Sequence, residues 1–296
     1  MMRLKVSILL LALLAPASAL ADPPPPPAAP PVKSSPAAKA PARPMLTYDL
    51  PADLTWVGVG GAAWLTLEMT KRHIAPSTCR WCNPPGVDAS VKSGLRWSNI
   101  KLADTLSNVT GFALVPLAAY GLDAAVVLTS GGTVKEWGID ALVITEAIVA
   151  ASDLNQFVKF AVGRERPFVF DIDADGKGKT SAPGDNNLSF YSGHAALGFS
   201  AAVSAGTIAT LKGYKAAPWI WATGLTIAAT TGYLRIAADK HYFTDVLLGA
   251  VTGSAIGFAV PYLHRPCVEG RACVTGMSAA PAFGGGGTVG LRGILP

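Results

Sequence analysis

The chain has 296 residues, of which 50% are hydrophobic and only 15% are charged, and its mean hydropathy is +0.37. This composition is apolar for a soluble protein but falls short of a chain dominated by membrane spans. The net charge of +5 is mild, and no basic stripe interleaved with aromatic residues occurs, so we expect no nucleic-acid partner.

The N-terminal residues 1–21 predict a signal peptide. A basic start precedes an apolar run from Val6 to Leu14, and small residues lead up to Asp22. An uncleaved first membrane helix is the alternative, for which the run is short. Export would place the mature chain in the bacterial periplasm or cell envelope, where cysteines are oxidised.

Residues 22–50 predict a Pro/Ala-rich disordered linker. They include five consecutive prolines from Pro23 to Pro27 and too little apolar bulk for a core. Such a stretch favours an extended polyproline conformation. A docking segment for a partner is the alternative interpretation.

Long apolar segments predict one helical domain over residues 51–264. The predicted helices are 54–69, 102–128, 134–162, 194–211, 216–234 and 246–263. No run has a strand pattern, and residues 265–296 are predicted to be a Gly-rich, weakly patterned C-terminal tail. The expected fold class is therefore all-α, a bundle of about six helices. Because successive helices run antiparallel, loops 72–101, 164–192 and 235–243 should meet at one end, where a composite site can form.

The sequence leaves open whether these helices span a membrane. Several are long enough, but they are rich in Ala, Gly and Thr, and Glu146 and Asp153 would be costly in lipid unless they face the bundle interior. Six spans after a cleaved signal would also place the three loops in the cytoplasm. The pattern therefore favours a compact domain exported whole and resting on a membrane, with an embedded bundle as the alternative.

The spacing of three glycines and the spacing of the four cysteines each allow more than one interpretation. Glycines recur every four residues at positions 249, 253 and 257, which suits either a membrane helix pair or tight packing inside a soluble bundle. The four cysteines form two close pairs, Cys79 with Cys82 and Cys267 with Cys273, and two local disulfides are favoured. The alternatives are a zinc site and a redox-active CxxC pair.

Cations and a helix start provide the first part of a candidate site. Lys159 and Arg166 are two helical turns apart, so both can lie on the same side. Ser192 and Gly193 stand before His194 at the mouth of a helix. They offer a hydroxyl, free N–H groups and the positive end of the helix dipole to an anion.

Arg235, His241 and Asp245 provide the second part. If a helix begins near His241, the histidine and Asp245 lie on one face, one turn apart. The carboxylate can then accept from one imidazole nitrogen and leave the other free to attack or bind. With three cations collected, a phosphate ester is the ligand that fits best.

The ordered segments Lys-x6-Arg-Pro from Lys159, Ser-Gly-His from Ser192 and Arg-x5-His-x3-Asp from Arg235 resemble the type 2 phosphatidic acid phosphatase and vanadium haloperoxidase superfamily. The resemblance covers roughly residues 95–263. It implies a helical bundle that hydrolyses phosphomonoesters or diphosphates, of the phosphatidic acid or isoprenyl diphosphate kind, without a metal or other cofactor. The implied partner is a phosphorylated lipid or a small phosphate ester, met at a membrane surface or in the bilayer.

The resemblance also implies residue roles. His241 is the nucleophile that forms a phosphohistidine, Asp245 orients it, and His194 is the general acid. The implied phosphate-binding residues are Lys159, Arg166, Ser192, Gly193 and Arg235. We expect a bell-shaped or acid-favouring pH profile, because His241 must be neutral while His194 must be protonated.

Two positions depart from the family pattern: Tyr191 replaces the usual Pro and Leu234 the usual Ser. Losing a Ser hydroxyl removes at most one donor to the phosphate, so we expect weaker binding rather than inactivity. Two alternatives to a phosphatase remain open. One is a haloperoxidase that holds vanadate in the same site, and the other is a non-catalytic envelope protein with a decayed site.

Overall fold

A computed structural model of the protein describes residues 43–266, 273–281 and 287–294. The predicted signal peptide, most of the predicted linker and Cys267 lie outside these residues. The helices are α1 (Leu50–Ile74), α2 (Gly86–Leu95), α3 (Ile100–Val109), α4 (Leu122–Thr129), α5 (Val134–Val162), α6 (Pro167–Phe170), α7 (Ala174–Lys177), α8 (Gly193–Leu211), α9 (Ala217–Ala237) and α10 (Phe243–Leu263). The predicted all-α bundle is confirmed for the region that these helices form.

Local chemistry sets the ends of the longest helix. Thr133 and Glu136 form a reciprocal capping box at the start of α5, and Gly163 ends it in the left-handed conformation with a φ of 61°. The predicted bounds of this helix are correct for that reason. Between α3 and α4, two π-helical turns at Thr110–Leu114 and Leu117–Gly121 continue the helical path from Ile100 to Thr129.

Two regions differ from the prediction. The predicted loop 72–101 contains α2, and α1 extends to Ile74. The tail contains strands β1 (Cys273–Pro281) and β2 (Gly287–Ile294), which pair antiparallel. The predicted tail therefore contains a hairpin that no strand pattern in the sequence indicated. These strands consist mostly of Gly, Ala, Ser and Thr, so the alternation of bulky and polar residues that marks a strand is weak.

Helix α8 is the most buried of the long helices, and α10 packs directly against it. A Cβ atom added to Gly249, Gly253 or Gly257 would come within 2.6, 2.4 or 2.5 Å of a carbonyl oxygen of α8 or its N-cap. The glycine stripe therefore serves close helix packing within this chain. This contact fixes the N-terminus of α8 relative to α10.

The outside of the bundle is apolar. Among the described residues, four helical segments are long and apolar enough to cross a membrane: Ile100–Thr129, Val134–Val162, Gly193–Leu211 and Phe243–Leu263. Large apolar side chains on three of them are more than half exposed, among them Phe112, Leu117, Phe157 and Val251. Glu146, by contrast, is only 5% exposed and faces the interior. These observations favour the embedded bundle over a domain that only rests on a membrane.

The first and last described parts of the bundle are joined. Thr47 N donates to the carbonyl oxygen of His264 at 2.8 Å, and His264 Nδ1 contacts the carbonyl oxygen of Thr47 at 2.8 Å. This junction lies at the end where α1 begins and α10 ends. The opposite end, where α1, α5 and α9 end, is called the site end below.

Candidate active site

A cavity of about 200 Å³ lies at the site end, where the three predicted loops meet. Six of the predicted site residues line it: Lys159, Arg166, Gly193, His194, Arg235 and His241. The other two, Ser192 and Asp245, are completely buried behind it. Residues that are far apart in the sequence therefore contribute to one cavity.

Two arginines in the cavity are held by oxygen acceptors. Arg166 donates to the carbonyl oxygens of Asp185 at 2.8 Å and Lys240 at 3.0 Å. Arg235 donates to Asp104 Oδ1 at 2.8 Å and Ser107 Oγ at 3.0 Å. Both are at least 94% buried, so they form a rigid, partly desolvated pair of cations.

The start of α8 adds Lys159 and main-chain donors to this arrangement. Ser192 is the N-cap, and its Oγ accepts from Ala195 N at 3.4 Å. A Cβ at Gly193 would lie 2.8 Å from Asn155 Oδ1 and 3.3 Å from Lys159 Nζ, so the absent side chain lets the lysine approach the helix N-terminus. The positive helix end and the lysine therefore act on the same space.

His241 lies just before α10 and is oriented by a main-chain carbonyl. Its Nδ1 is 2.8 Å from the oxygen of Ser189, an acceptor, so Nδ1 carries the proton and Nε2 has the lone pair. Nε2 accepts from Arg166 Nη1 at 3.3 Å, at the cavity. Burial, together with the positive charges of Arg166 and Arg235, lowers the pKa of His241 well below its usual value. The imidazole is therefore neutral and nucleophilic.

Asp245 does not orient His241 in the predicted way. Its Oδ2 lies 3.7 Å from His241 Nδ1, beyond hydrogen-bonding distance, whereas it accepts from Ser189 Oγ at 2.6 Å and Tyr242 N at 2.9 Å. The expected direct bond is absent because His241 precedes the first turn of α10, so the one-face geometry of a helix does not apply. Asp245 instead fixes the two segments that flank the histidine.

Sequence reasoning missed the ion pairs behind Asp245. Arg164 donates to Asp245 Oδ1 at 2.5 Å and to Asp88 Oδ2 at 2.6 Å, and all three side chains are buried. The guanidinium lies between two aromatic rings, with its central carbon 3.9 Å from the centre of Trp81 and 4.3 Å from that of Tyr242. Arg164 lies within the Lys-x6-Arg-Pro segment, residues 159–167. Asp88 lies in a predicted loop, and no sequence pattern indicated that it would contact Arg164.

His194 also has a partner that the sequence did not indicate. Its Nε2 is 2.9 Å from Asn108 Oδ1, and its ring packs on Phe112 with 4.7 Å between the ring centres. Because the amide oxygen accepts, Nε2 carries a proton in this arrangement. A general acid in this position would pass its proton to an oxygen that replaces Asn108 as the acceptor.

The two departures from the family pattern occupy packed positions. Tyr191 is 1% exposed, and its carbonyl oxygen accepts from Asn155 Nδ2 at 2.7 Å. Leu234 is 5% exposed on α9. Nearby, Cys79 and Cys82 form a disulfide in the loop that carries Trp81.

Comparison with known proteins identifies relatives of this helical region. A family model described as the PAP2 superfamily matches residues 140–269. The chain is 31% identical over 128 residues to lipid A 1-phosphatase of Porphyromonas gingivalis, covering 43% of this chain and 24% of that protein. It is 25% identical over 185 residues to phospholipid phosphatase 2 of Rattus norvegicus, covering 46% of this chain and 66% of that protein. The chain thus spans about a quarter of the first relative and just under two thirds of the second.

A solved structure with some similarity is the first transmembrane PAP2 type phosphatidylglycerolphosphate phosphatase from Bacillus subtilis. It is 16% identical, with 71% of this chain and 94% of that chain covered and a TM-score of 0.41. A score of this size does not support a conclusion about the fold. The family match, in contrast, contains every predicted catalytic and phosphate-binding residue from Lys159 to Asp245. Residues 140–269 of this chain are therefore similar to the PAP2 superfamily.

Proposed function

We propose that this protein is a phosphatase that hydrolyses a phosphomonoester or diphosphate of a lipid through a phosphohistidine at His241. The observation that carries the proposal is a neutral imidazole whose unprotonated Nε2 faces a cavity lined by Lys159, Arg166 and Arg235. Fixed cations around a nucleophile stabilise the charge that develops on the equatorial oxygens during phosphoryl transfer.

In the first step, His241 Nε2 attacks phosphorus and the bond from phosphorus to the lipid oxygen breaks. The arginines and the N–H groups at the start of α8 hold the nonbridging oxygens. His194, protonated beside the bound anion, gives its proton to the leaving oxygen. In the second step, water attacks phosphorus, His194 takes the proton of that water, and the bond to His241 breaks to release inorganic phosphate.

A lipid substrate is supported by the surroundings of the cavity. Apolar side chains line part of it, namely Trp64, Phe112, Leu188 and Leu197. Four helical segments have the length and composition of membrane spans, and the relatives named above are called lipid A and phospholipid phosphatases. We therefore place the protein in the membrane of a bacterial cell envelope, where a phosphorylated lipid can reach the cavity.

Phosphate release should be measured in detergent micelles with phosphatidic acid, undecaprenyl diphosphate and nitrophenyl phosphate. We expect faster turnover of the lipid substrates, and a loss of about 10⁴-fold or more in His241→Ala. The control is His73→Gln, which changes a histidine exposed at the end of α1. Radiolabelled phosphate should be trapped on the wild type by rapid quenching but not on His241→Ala.

Several results would contradict the proposal. Near wild-type turnover in His241→Ala would remove the assigned nucleophile, and no phosphate release from any substrate would indicate a non-catalytic protein. Vanadate should inhibit hydrolysis, because it resembles phosphate and would occupy the phosphate position. The proposed reaction itself uses no cofactor. Halide oxidation that appears only on adding vanadate would indicate a haloperoxidase instead.

A further inference from the structure

We infer that Asp53, Glu146 and His264 form a second site, which binds a divalent transition-metal cation at the end of the bundle opposite the cavity. These three residues are called the Asp53 cluster. They come from the first turn of α1, the middle of α5 and the residue after α10. One potential ligand atom from each lies within 4.8 Å of the others.

The spacing of these atoms suits a metal ion. Zinc binds imidazole nitrogen at about 2.0–2.1 Å and carboxylate oxygen at about 2.0–2.2 Å, so tetrahedral ligands stand about 3.3–3.5 Å apart. His264 Nε2 already lies 3.0 Å from Glu146 Oε2. Small side-chain adjustments are enough to bring the Asp53 carboxylate to the same distance, with water completing the coordination.

His264 is held with Nε2 facing the carboxylates. Its Nδ1 donates to the carbonyl oxygen of Thr47 at 2.8 Å, which fixes the ring. A ligating histidine commonly has its second nitrogen bonded to a carbonyl in this way. A protonated His264 donates from Nε2 to Glu146 Oε2 at 3.0 Å, and a divalent cation would take the place of that proton.

The unsatisfied carboxylate of Glu146 is a second, independent indication of a cation site. Its side chain is 5% exposed, and Oε1 has no hydrogen-bond partner among the described residues. Asp53 is 7% exposed, and the charged groups that act on it most strongly are Glu146, His264 and Asp49. Two buried carboxylates beside one histidine leave negative charge that a divalent cation would balance.

The donor set indicates the kind of cation and its role. One imidazole nitrogen with two carboxylates suits zinc and its neighbours better than magnesium or calcium, which prefer oxygen alone. Glu146 stands thirteen residues before Lys159 on α5, about 20 Å along the helix, so the ion would not touch the phosphate. It would fasten α1, α5 and the end of α10 together.

The test uses the full chain in detergent, stripped with a chelator and dialysed against zinc chloride. We expect one zinc ion per chain, a higher melting temperature with zinc, and at least about tenfold weaker binding in Asp53→Asn and Glu146→Gln. Asp153→Asn is the matched control, because Asp153 is another α5 carboxylate with a buried oxygen that lacks a partner but lies outside the cluster. It should bind zinc like the wild type.

If a variant does not fold, X-ray absorption spectroscopy of the zinc-loaded wild type still tests the inference, because it identifies the ligands of the ion. It should show one imidazole and otherwise oxygen ligands, with no sulfur. Absence of saturable binding, sulfur in the coordination sphere, or equal affinity in wild type and Glu146→Gln would each overturn the inference. Phosphatase activity should be nearly unchanged on removing zinc, which separates this test from that of the proposed function.

Discussion

His241 is positioned by a series of hydrogen-bonded groups rather than by a direct bond to Asp245. The Ser189 carbonyl sets its tautomer, and Asp245 holds Ser189 and the main chain of Tyr242. Arg164 and Asp88 hold Asp245 in turn. His241, the proposed nucleophile, is therefore the innermost residue in a series of buried contacts, so substitutions at Asp88 or Arg164 should change the position of its ring.

We predict that His241 stays neutral well into the acidic range. Burial lowers its pKa, and Arg166 and Arg235 lower it further, so the ring gains a proton only well below its ordinary pH range near 6.5. Arg166→Met removes one positive charge and should raise the pKa. NMR titration of labelled histidines would measure both values, and a wild-type titration near 6.5 would contradict this account.

Asp88→Asn should weaken both stability and turnover. It removes one carboxylate from the fully buried Arg164, and breaking such a pair costs about 3–5 kcal/mol in the free energy of unfolding. We expect kcat to fall more than KM rises, because the nucleophile is displaced while the cations remain.

The control for this prediction is Asp171→Asn. Asp171 pairs with Lys92, but its side chain is 54% exposed, so the expected cost is below about 1 kcal/mol. Chemical denaturation in detergent compares the two variants. Equal losses would show that the buried pair has no special role.

The sequence predicted residues that line the cavity but not those that support them. Lys159, Arg166 and His194 follow from spacing within one segment or at one helix start. Asp88 and Asn108 come from segments about 80 residues away from their partners, Arg164 and His194, and nothing local marks them. The tertiary fold alone brings them into contact, so pattern reasoning could not find them.

At the scale of whole elements, long apolar helices were predictable. The segment that forms α5 was predicted with its correct bounds, whereas α2 is a short helix with only a weak periodic pattern. The β1–β2 hairpin was missed because glycine and alanine give no two-residue alternation. Elements were thus predicted where an apolar segment is long.

Gly253→Ala tests the closest helix contact in the bundle. The new methyl group would lie 2.4 Å from the carbonyl oxygen of Ala196, so α8 and α10 must separate. We expect a loss of about 1–3 kcal/mol in the free energy of unfolding and a lower kcat, since α8 carries the anion-binding N-terminus.

Gly61→Ala is the matched control on α1. No atom lies within 4 Å of its added methyl group, and alanine is the better helix former by about 1 kcal/mol. This variant should be neutral or slightly more stable in thermal unfolding. A destabilised Gly61→Ala, or an unchanged Gly253→Ala, would refute the packing argument.

For the whole molecule, the distribution of apolar side chains predicts integral membrane association. Phe112, Leu117 and Val251 are 57%, 68% and 55% exposed, and burying such side chains in lipid gains about 1.5–3 kcal/mol each. The protein should stay in the membrane pellet after an alkaline carbonate wash and dissolve only in detergent. Release by the wash would indicate a peripheral domain.

The junction between Thr47 and His264 has a consequence for chain topology. Because the segment before α1 and the segment after α10 are hydrogen-bonded to each other, a short linker could join residue 266 to residue 43. New termini would fit the exposed turn after α4, where Gly131 has a φ of 82°. Such a circular permutant would keep every contact around His241, so the site depends on how the helices pack and not on the order in which the ribosome makes them.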